Sequence, residues 1–148
     1  MRILSRLIRR HEGSRRRPYR DSRGILTVGI GRNLSAVPFR DDEIMLMFDN
    51  DVAEASRQVE RLFRETWTNL SAVRQAVLTD MMFNMGAPTL TGFKKLRRAV
   101  RVGDFEEAAA QMLDSRWATQ VGRKTHQRAW RLAKMMRSDT WPPDCEER

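Results

Sequence analysis

Apolar positions recur at helical spacing along most of this chain and switch to a strand-like run only once, near the start. Leu4, Leu7, Ile8 and His11 share one face and predict a short amphipathic helix over residues 3–12, stopped by Gly13. Residues 14–17 read as a basic connector, and Asp21-Ser22-Arg23-Gly24 as a turn with glycine where positive φ is wanted. Ile25 to Ile30 then reads as a strand, which makes a β-hairpin region. From Asp41 the pattern is helical. Ile44, Phe48, Val52, Ala55, Val59 and Leu62 lie on one face of a long helix over 41–64, with Asp41, Asp42 and Glu43 at its positive end.

Shorter helices follow. One spans 71–85 and stops at Gly86, with Pro88 beyond; another spans 92–101. Asp104 caps a third, with Glu107 three residues on and Phe105, Ala108, Ala109 and Met112 as its apolar set. A loop after Trp117 leads to Gly122, a last helix covers 123–137, and Pro142 and Pro143 end the ordered part. There is no internal repeat. The expected architecture is α+β and mostly helical within a single domain over 1–148. A small β-hairpin lobe (13–40) is joined by the long helix (41–64) to a helical lobe (65–141), with a polar tail over 142–148. A cleft between two such lobes is a common place for a ligand.

Composition adds the setting. The chain of 148 residues is 41% apolar and 32% charged, which suits one globular core. No apolar run is long enough to cross a bilayer, and the basic start has no apolar stretch of signal-peptide length. The expectation is a cytoplasmic product with no export route of its own. Cys145 is the single cysteine, so an internal disulfide is excluded, and it has no Cys or His company for zinc. No metal cluster and no Ser/His/Asp set stands out. The net charge of +9 points to anionic partners without choosing among nucleic acid, lipid and wall polymer.

The chemistry sits near the start. Glu12 ends the first helix, Asp21 opens the turn, and Thr27 lies in the returning strand. A hairpin packed over the helix end would line one edge of a cleft with all three. Two carboxyl groups about 6.5–9.5 Å apart, with room for water, are what inverting glycoside hydrolysis needs. The same placements are also common on ordinary surfaces, so spacing leaves both readings open.

The run Glu12-Gly13, Tyr19-Arg20-Asp21, Gly24, Thr27-Val28-Gly29-Ile30-Gly31 closely resembles the bacteriophage lysozymes, or endolysins, of glycoside hydrolase family 24. The family pattern is a Glu, an Asp nine positions on and a Thr six after that, met here without slip by Glu12, Asp21 and Thr27. The likeness continues through Phe48, Asp51-Val52, Phe83-Asn84-Met85-Gly86, Gly92-Phe93, Ser115-Arg116-Trp117 and Thr140-Trp141. It implies a lysozyme-like fold and a muramidase that cuts peptidoglycan between N-acetylmuramic acid and N-acetylglucosamine, inverting and without a metal or other cofactor. Glu12 would be the acid and Asp21 the base, with Thr27 holding the water. Register carries over Gly31, Asn33, Phe83, Asn84, Gln111 and Arg128 as substrate-binding positions, with Arg128 also close to the acid. Such an enzyme would act as a monomer, reach the wall through a separate pore-forming protein, and have no specific nucleic-acid partner.

Three features depart from or complicate the pattern. Arg32-Asn33 stands where some relatives carry His, and the register suggests an ion pair between Arg32 and Asp51. Five arginines (Arg9, Arg10, Arg15, Arg16, Arg17) flank Glu12; cations favour a charged carboxylate, so the acid role requires burial or arginines turned to solvent. The last helix carries Arg123, Lys124, Arg128, Arg131, Lys134 and Arg137, either a solvated basic side or a surface that seeks anionic wall or outer-membrane polymers. Trp117, Trp130 and Trp141 read as core before sugar platforms, and Met45, Met47, Met81, Met82 and Met85 as core fill. Two rivals remain at this level: a non-catalytic wall-binding relative, and a basic helical nucleic-acid binder, whose charge would have to cluster on one face.

Overall fold

The computed structural model describes residues 2–145, so residues 146–148 of the expected polar tail lie outside the described residues. The chain forms α1 (Arg2–Glu12), β1 (Arg15–Arg20), β2 (Leu26–Gly29), β3 (Arg32–Asn33), α2 (Asp41–Leu62), α3 (Ala72–Thr91), α4 (Lys94–Arg101), α5 (Phe105–Leu113), α6 (Arg116–Val121) and α7 (Arg128–Ser138). Short 3-10 turns occupy Trp67–Asn69 and Pro143–Cys145. It divides into two compact units, one ending at Met47 and the other beginning at Phe48.

The small unit holds the sheet, antiparallel in the order β1-β2-β3. Thr27 pairs with Tyr19 on one side and Asn33 on the other. The stretch read as a basic connector is therefore mostly β1. Its arginines hide the alternation that marks a strand, and an irregularity between Arg15 and Tyr19 breaks the register further. Among the described residues of this unit only Thr27 is buried, so no apolar core supports it. Polar contacts hold it instead. Glu43 caps α2 by accepting from the Arg40 N–H at 2.9 Å and takes the Arg32 guanidinium at 2.6 Å. Arg32 also donates to the Pro38 carbonyl at 2.6 Å and lies over the Phe39 ring. The partner of Arg32 is thus Glu43 rather than Asp51, two turns earlier on the same helix. The Arg40 N–H first, and then Arg32, hold the Glu43 carboxyl below its ordinary range against the opposing effect of desolvation.

The larger unit has a continuous apolar core. Val59, Val77, Leu78, Met81, Leu90, Leu96, Val100, Met112 and Met136 are fully enclosed. The apolar stripe of α2 is buried only in its later part, at Ala55 and Val59, while Ile44, Phe48, Met45 and Met47 are exposed. Met45 and Met47 are therefore not core fill, whereas Met81 and Met82 are. Gly86 breaks the helical backbone of α3 at φ +74°, and one further turn containing Pro88 follows it. Asp104 caps α5 by accepting from the Glu107 N–H at 2.9 Å. Ser115 caps α6 through the Ala118 N–H, where the sequence suggested a loop. The last helix starts at Arg128 rather than 123, because positive φ at Gly122 and His126 turns the chain first. Arg74 ties three helices together: it pairs with Asp139, donates to the Met136 carbonyl, and stacks 3.6 Å over the Phe105 ring. Order continues past the two prolines, since Arg131 holds Asp144 at 2.7 Å.

Candidate active site

The hairpin turn positions Asp21, the residue expected to be the base. Asp21 Oδ1 accepts from the Arg23 and Ile25 N–H groups, both at 2.9 Å, and the Gly24 N–H closes the turn on the Asp21 carbonyl. Gly24 has φ +76°, the conformation its position in the sequence called for. The Ile25 carbonyl then accepts twice, from the Asp21 N–H at 3.0 Å and from the Thr27 hydroxyl at 3.1 Å. One backbone group therefore fixes Asp21 and Thr27 relative to each other. Among the described residues Asp21 Oδ2 has no hydrogen-bond donor, and Thr27, with its proton committed to Ile25, offers its oxygen as an acceptor. Thr27 is 4% exposed, so this orientation is held in a dry setting.

Glu12 closes α1, and its carboxyl group lies against Gly31. A Cβ placed on Gly31 would stand 2.8 Å from Glu12 Oε2 and 3.3 Å from its Cδ. Gly31 leaves bare backbone for a close approach, and the group that approaches is the Glu12 carboxyl. The five flanking arginines are all exposed, which is one of the two arrangements the acid role allows. Asn33 is engaged locally, its Oδ1 accepting from the Ser35 and Ala36 N–H groups.

In the larger unit, Asn84 and Gln111 line one groove of about 660 Å³ together with Trp117 and Lys95. Asn84 accepts from the Trp117 indole N–H at 2.7 Å, and Gln111 donates to Glu107 at 2.9 Å. Phe83 is exposed and packs edge-on against Phe48. Arg128 pairs with Asp80 at 2.9 Å, a partner the sequence reading did not supply. Two more of the last helix's cations are matched by carboxylates, Arg131 by Asp144 and Arg137 by Glu106. Lys134 lies 5.4 Å from the centre of the Trp130 ring. Trp117 is buried, as a core reading expects, while Trp141 is exposed. No group of three or more His, Cys, Asp or Glu that could hold a metal occurs among the described residues.

Residues 9–131 match the family described as phage lysozyme. The chain belongs to the phage lysozyme family. Its α+β, mostly helical build is the lysozyme-like one. The chain is similar to the pre-baseplate central spike protein Gp5 of Enterobacteria phage T4, at 26% identity over 145 residues, covering 80% of this chain and 25% of that protein. It is similar to probable T4-type lysozyme 2 of Dictyostelium discoideum, at 22% identity, covering 83% of this chain and 89% of that protein. It is also similar to the SAR-endolysin of Escherichia phage Mu, at 31% identity over 112 residues, covering 72% of this chain and 61% of that protein. The chain thus spans about a quarter of the spike protein's length. Membership of the phage lysozyme family supports a peptidoglycan-lytic glycoside hydrolase.

Proposed function

We propose that the chain is an endolysin-type muramidase that hydrolyses the β-1,4 bond from N-acetylmuramic acid to N-acetylglucosamine in peptidoglycan, with inversion. Glu12 gives its proton to the bridging oxygen as the bond to the muramic C1 breaks. Water attacks C1 from the opposite face and passes a proton to Asp21. Thr27 accepts a hydrogen from that water and so aims its lone pair. Exchange with solvent then returns a proton to Glu12 and removes one from Asp21. The observation that supports this reading is the shared Ile25 carbonyl, which accepts from the Asp21 N–H and from the Thr27 hydroxyl and so leaves the Thr27 oxygen as an acceptor.

Asn84 and Gln111 would bind glycan or its peptide along their common groove, with Phe83, Gly31 and Asn33 as further contacts. Arg128 would bind the substrate, as the resemblance implies. The protein would act as a monomer, accumulate in the infected cell, reach the wall through a separate pore-forming protein, and end in host lysis. Mass spectrometry of muropeptides released from purified sacculi tests the bond. Muramic acid at the reducing end, and its loss in Glu12→Gln and Asp21→Asn, are expected. An amidase or peptidase pattern, or full activity in either variant, refutes the assignment.

A further inference from the structure

The last helix was read as either a solvated basic side or an anion-seeking surface, and carboxylates pair with Arg128, Arg131 and Arg137 there. Four other cations meet where α2 ends beside α4. Arg61, Arg64, Arg97 and Arg101 line a hollow of about 210 Å³, in company with the single carboxylate of Glu65. Compensation is poor. Arg61 lies 3.6 Å from Glu54, which is already bound by Arg57 at 2.7 Å. Arg101 lies 3.6 Å from Glu65, beyond hydrogen-bond range. Arg97 donates to the neutral Thr91 carbonyl, and its Nε is buried with no acceptor. Among the described residues, Arg64 has no carboxylate within ion-pair distance.

The negative ends of two helices account for one cation each, Arg61 on α2 and Arg101 on α4. They do not account for four guanidinium groups around one small hollow. Like charges so placed repel one another, and an anion between them turns that repulsion into attraction.

We propose that this hollow is a phosphate-binding site, independent of the wall-cleaving chemistry. A carboxylate would bring one charge and two oxygens to four guanidinium groups. A phosphoryl group brings up to two charges and at least three acceptor oxygens, which suits planar donor forks. The volume admits one phosphoryl group with some water. Its source is either free phosphate or the phosphomonoester head of a lipid.

The test uses the full chain. Inorganic phosphate is titrated while arginine side-chain N–H resonances are followed by NMR. In parallel, vesicles of phosphatidylcholine carrying equal charge as phosphatidic acid or phosphatidylglycerol are sedimented with the protein. The pocket variant Arg64→Gln/Arg101→Gln is compared with Arg123→Gln/Lys124→Gln, which removes the same charge elsewhere. Saturable shifts confined to the four arginines are expected, weakened roughly tenfold or more in the pocket variant and within about twofold of wild type in the other. Preference for phosphatidic acid that the pocket variant loses identifies a lipid source; phosphate binding without that preference identifies free phosphate. Wild-type protein with no saturable shift, or equal weakening in both double variants, overturns the proposal. Because the readout is binding, neither result depends on whether Glu12 and Asp21 cleave the wall.

Discussion

Two glycines two residues apart, Gly29 and Gly31, offer a controlled test of the acid. Both have left-handed backbone, φ +65° and +72°, so alanine at either adds a similar strain of about 1–2 kcal/mol. They differ in what the new methyl meets. At Gly29 nothing lies within 4 Å, whereas at Gly31 the methyl lands 2.8 Å from Glu12 Oε2. Ordinary contact begins near 3.4 Å, so the carboxyl must retreat by the difference, 3.4 − 2.8 = 0.6 Å. A carboxyl on a flexible side chain yields at little cost in stability, so the two variants should melt within a degree or two of each other.

Catalysis should separate them. A misplacement of 1 Å costs about 100-fold where geometry governs the rate, so 0.6 Å should cost on the order of tenfold. The assay is the initial rate of dye release from labelled sacculi, measured well below both melting midpoints and corrected for folded fraction. Gly31→Ala should fall about tenfold in kcat/KM while Gly29→Ala stays within about twofold. In a Glu12→Gln background the Gly31 effect should vanish, because the two changes act through one group. Equal rates for the two alanine variants would show that the position of the Glu12 carboxyl is immaterial, and the acid assignment would fall with it.

Other consequences follow from single contacts. Glu43 is held below its ordinary value of 4.5, so its contribution is complete above that value and is lost as pH falls through the lower folded-state value. Urea midpoints should therefore favour wild type over Glu43→Gln at pH 6 and converge near pH 3; a gap that persists in acid refutes the charge-based account. Met81→Ala opens a cavity in an enclosed core and should cost about 2–5 kcal/mol, against less than ~0.5 kcal/mol for Val102→Ala on the surface, both read from denaturant unfolding. Asn84→Ala removes the acceptor of the Trp117 indole N–H and should cost about 1 kcal/mol, which Asn84→Asp largely restores, as shown by thermal melts and tryptophan emission.

What the sequence made legible depended on how local the signal was. The turn at Asp21–Gly24, the Asp104 cap and the break at Gly86 are each written within four residues, and each is where it was read. β1 was hidden because Arg15, Arg16 and Arg17 present the same polarity to both faces. α6 was read as a loop, since six residues are too few for a periodic pattern. Partners distant in sequence were out of reach: Arg128 with Asp80, Trp117 with Asn84, and Glu43 in place of Asp51 for Arg32. The ion pairs of the last helix were hidden for the same reason, because Glu106 and Asp144 lie outside the helix.

The two units hold their residues in place by different means, and this bears on where the proposed chemistry resides. The larger unit encloses its apolar side chains, a mode that tolerates substitution at the rim because many contacts share the load. The small unit encloses only Thr27 among its described residues, so hydrogen bonds to Ile25 and the Arg32–Glu43 contact must give direction where packing does not. Hydrogen bonds are directional and individually few, which suits the aiming of one hydroxyl and one carboxylate. It also means that a single lost contact turns the group it aimed. Hydrolysis should accordingly be more sensitive than melting temperature to changes around Ile25 and Gly31, while changes in the helical core should move stability first and activity only as the folded fraction falls.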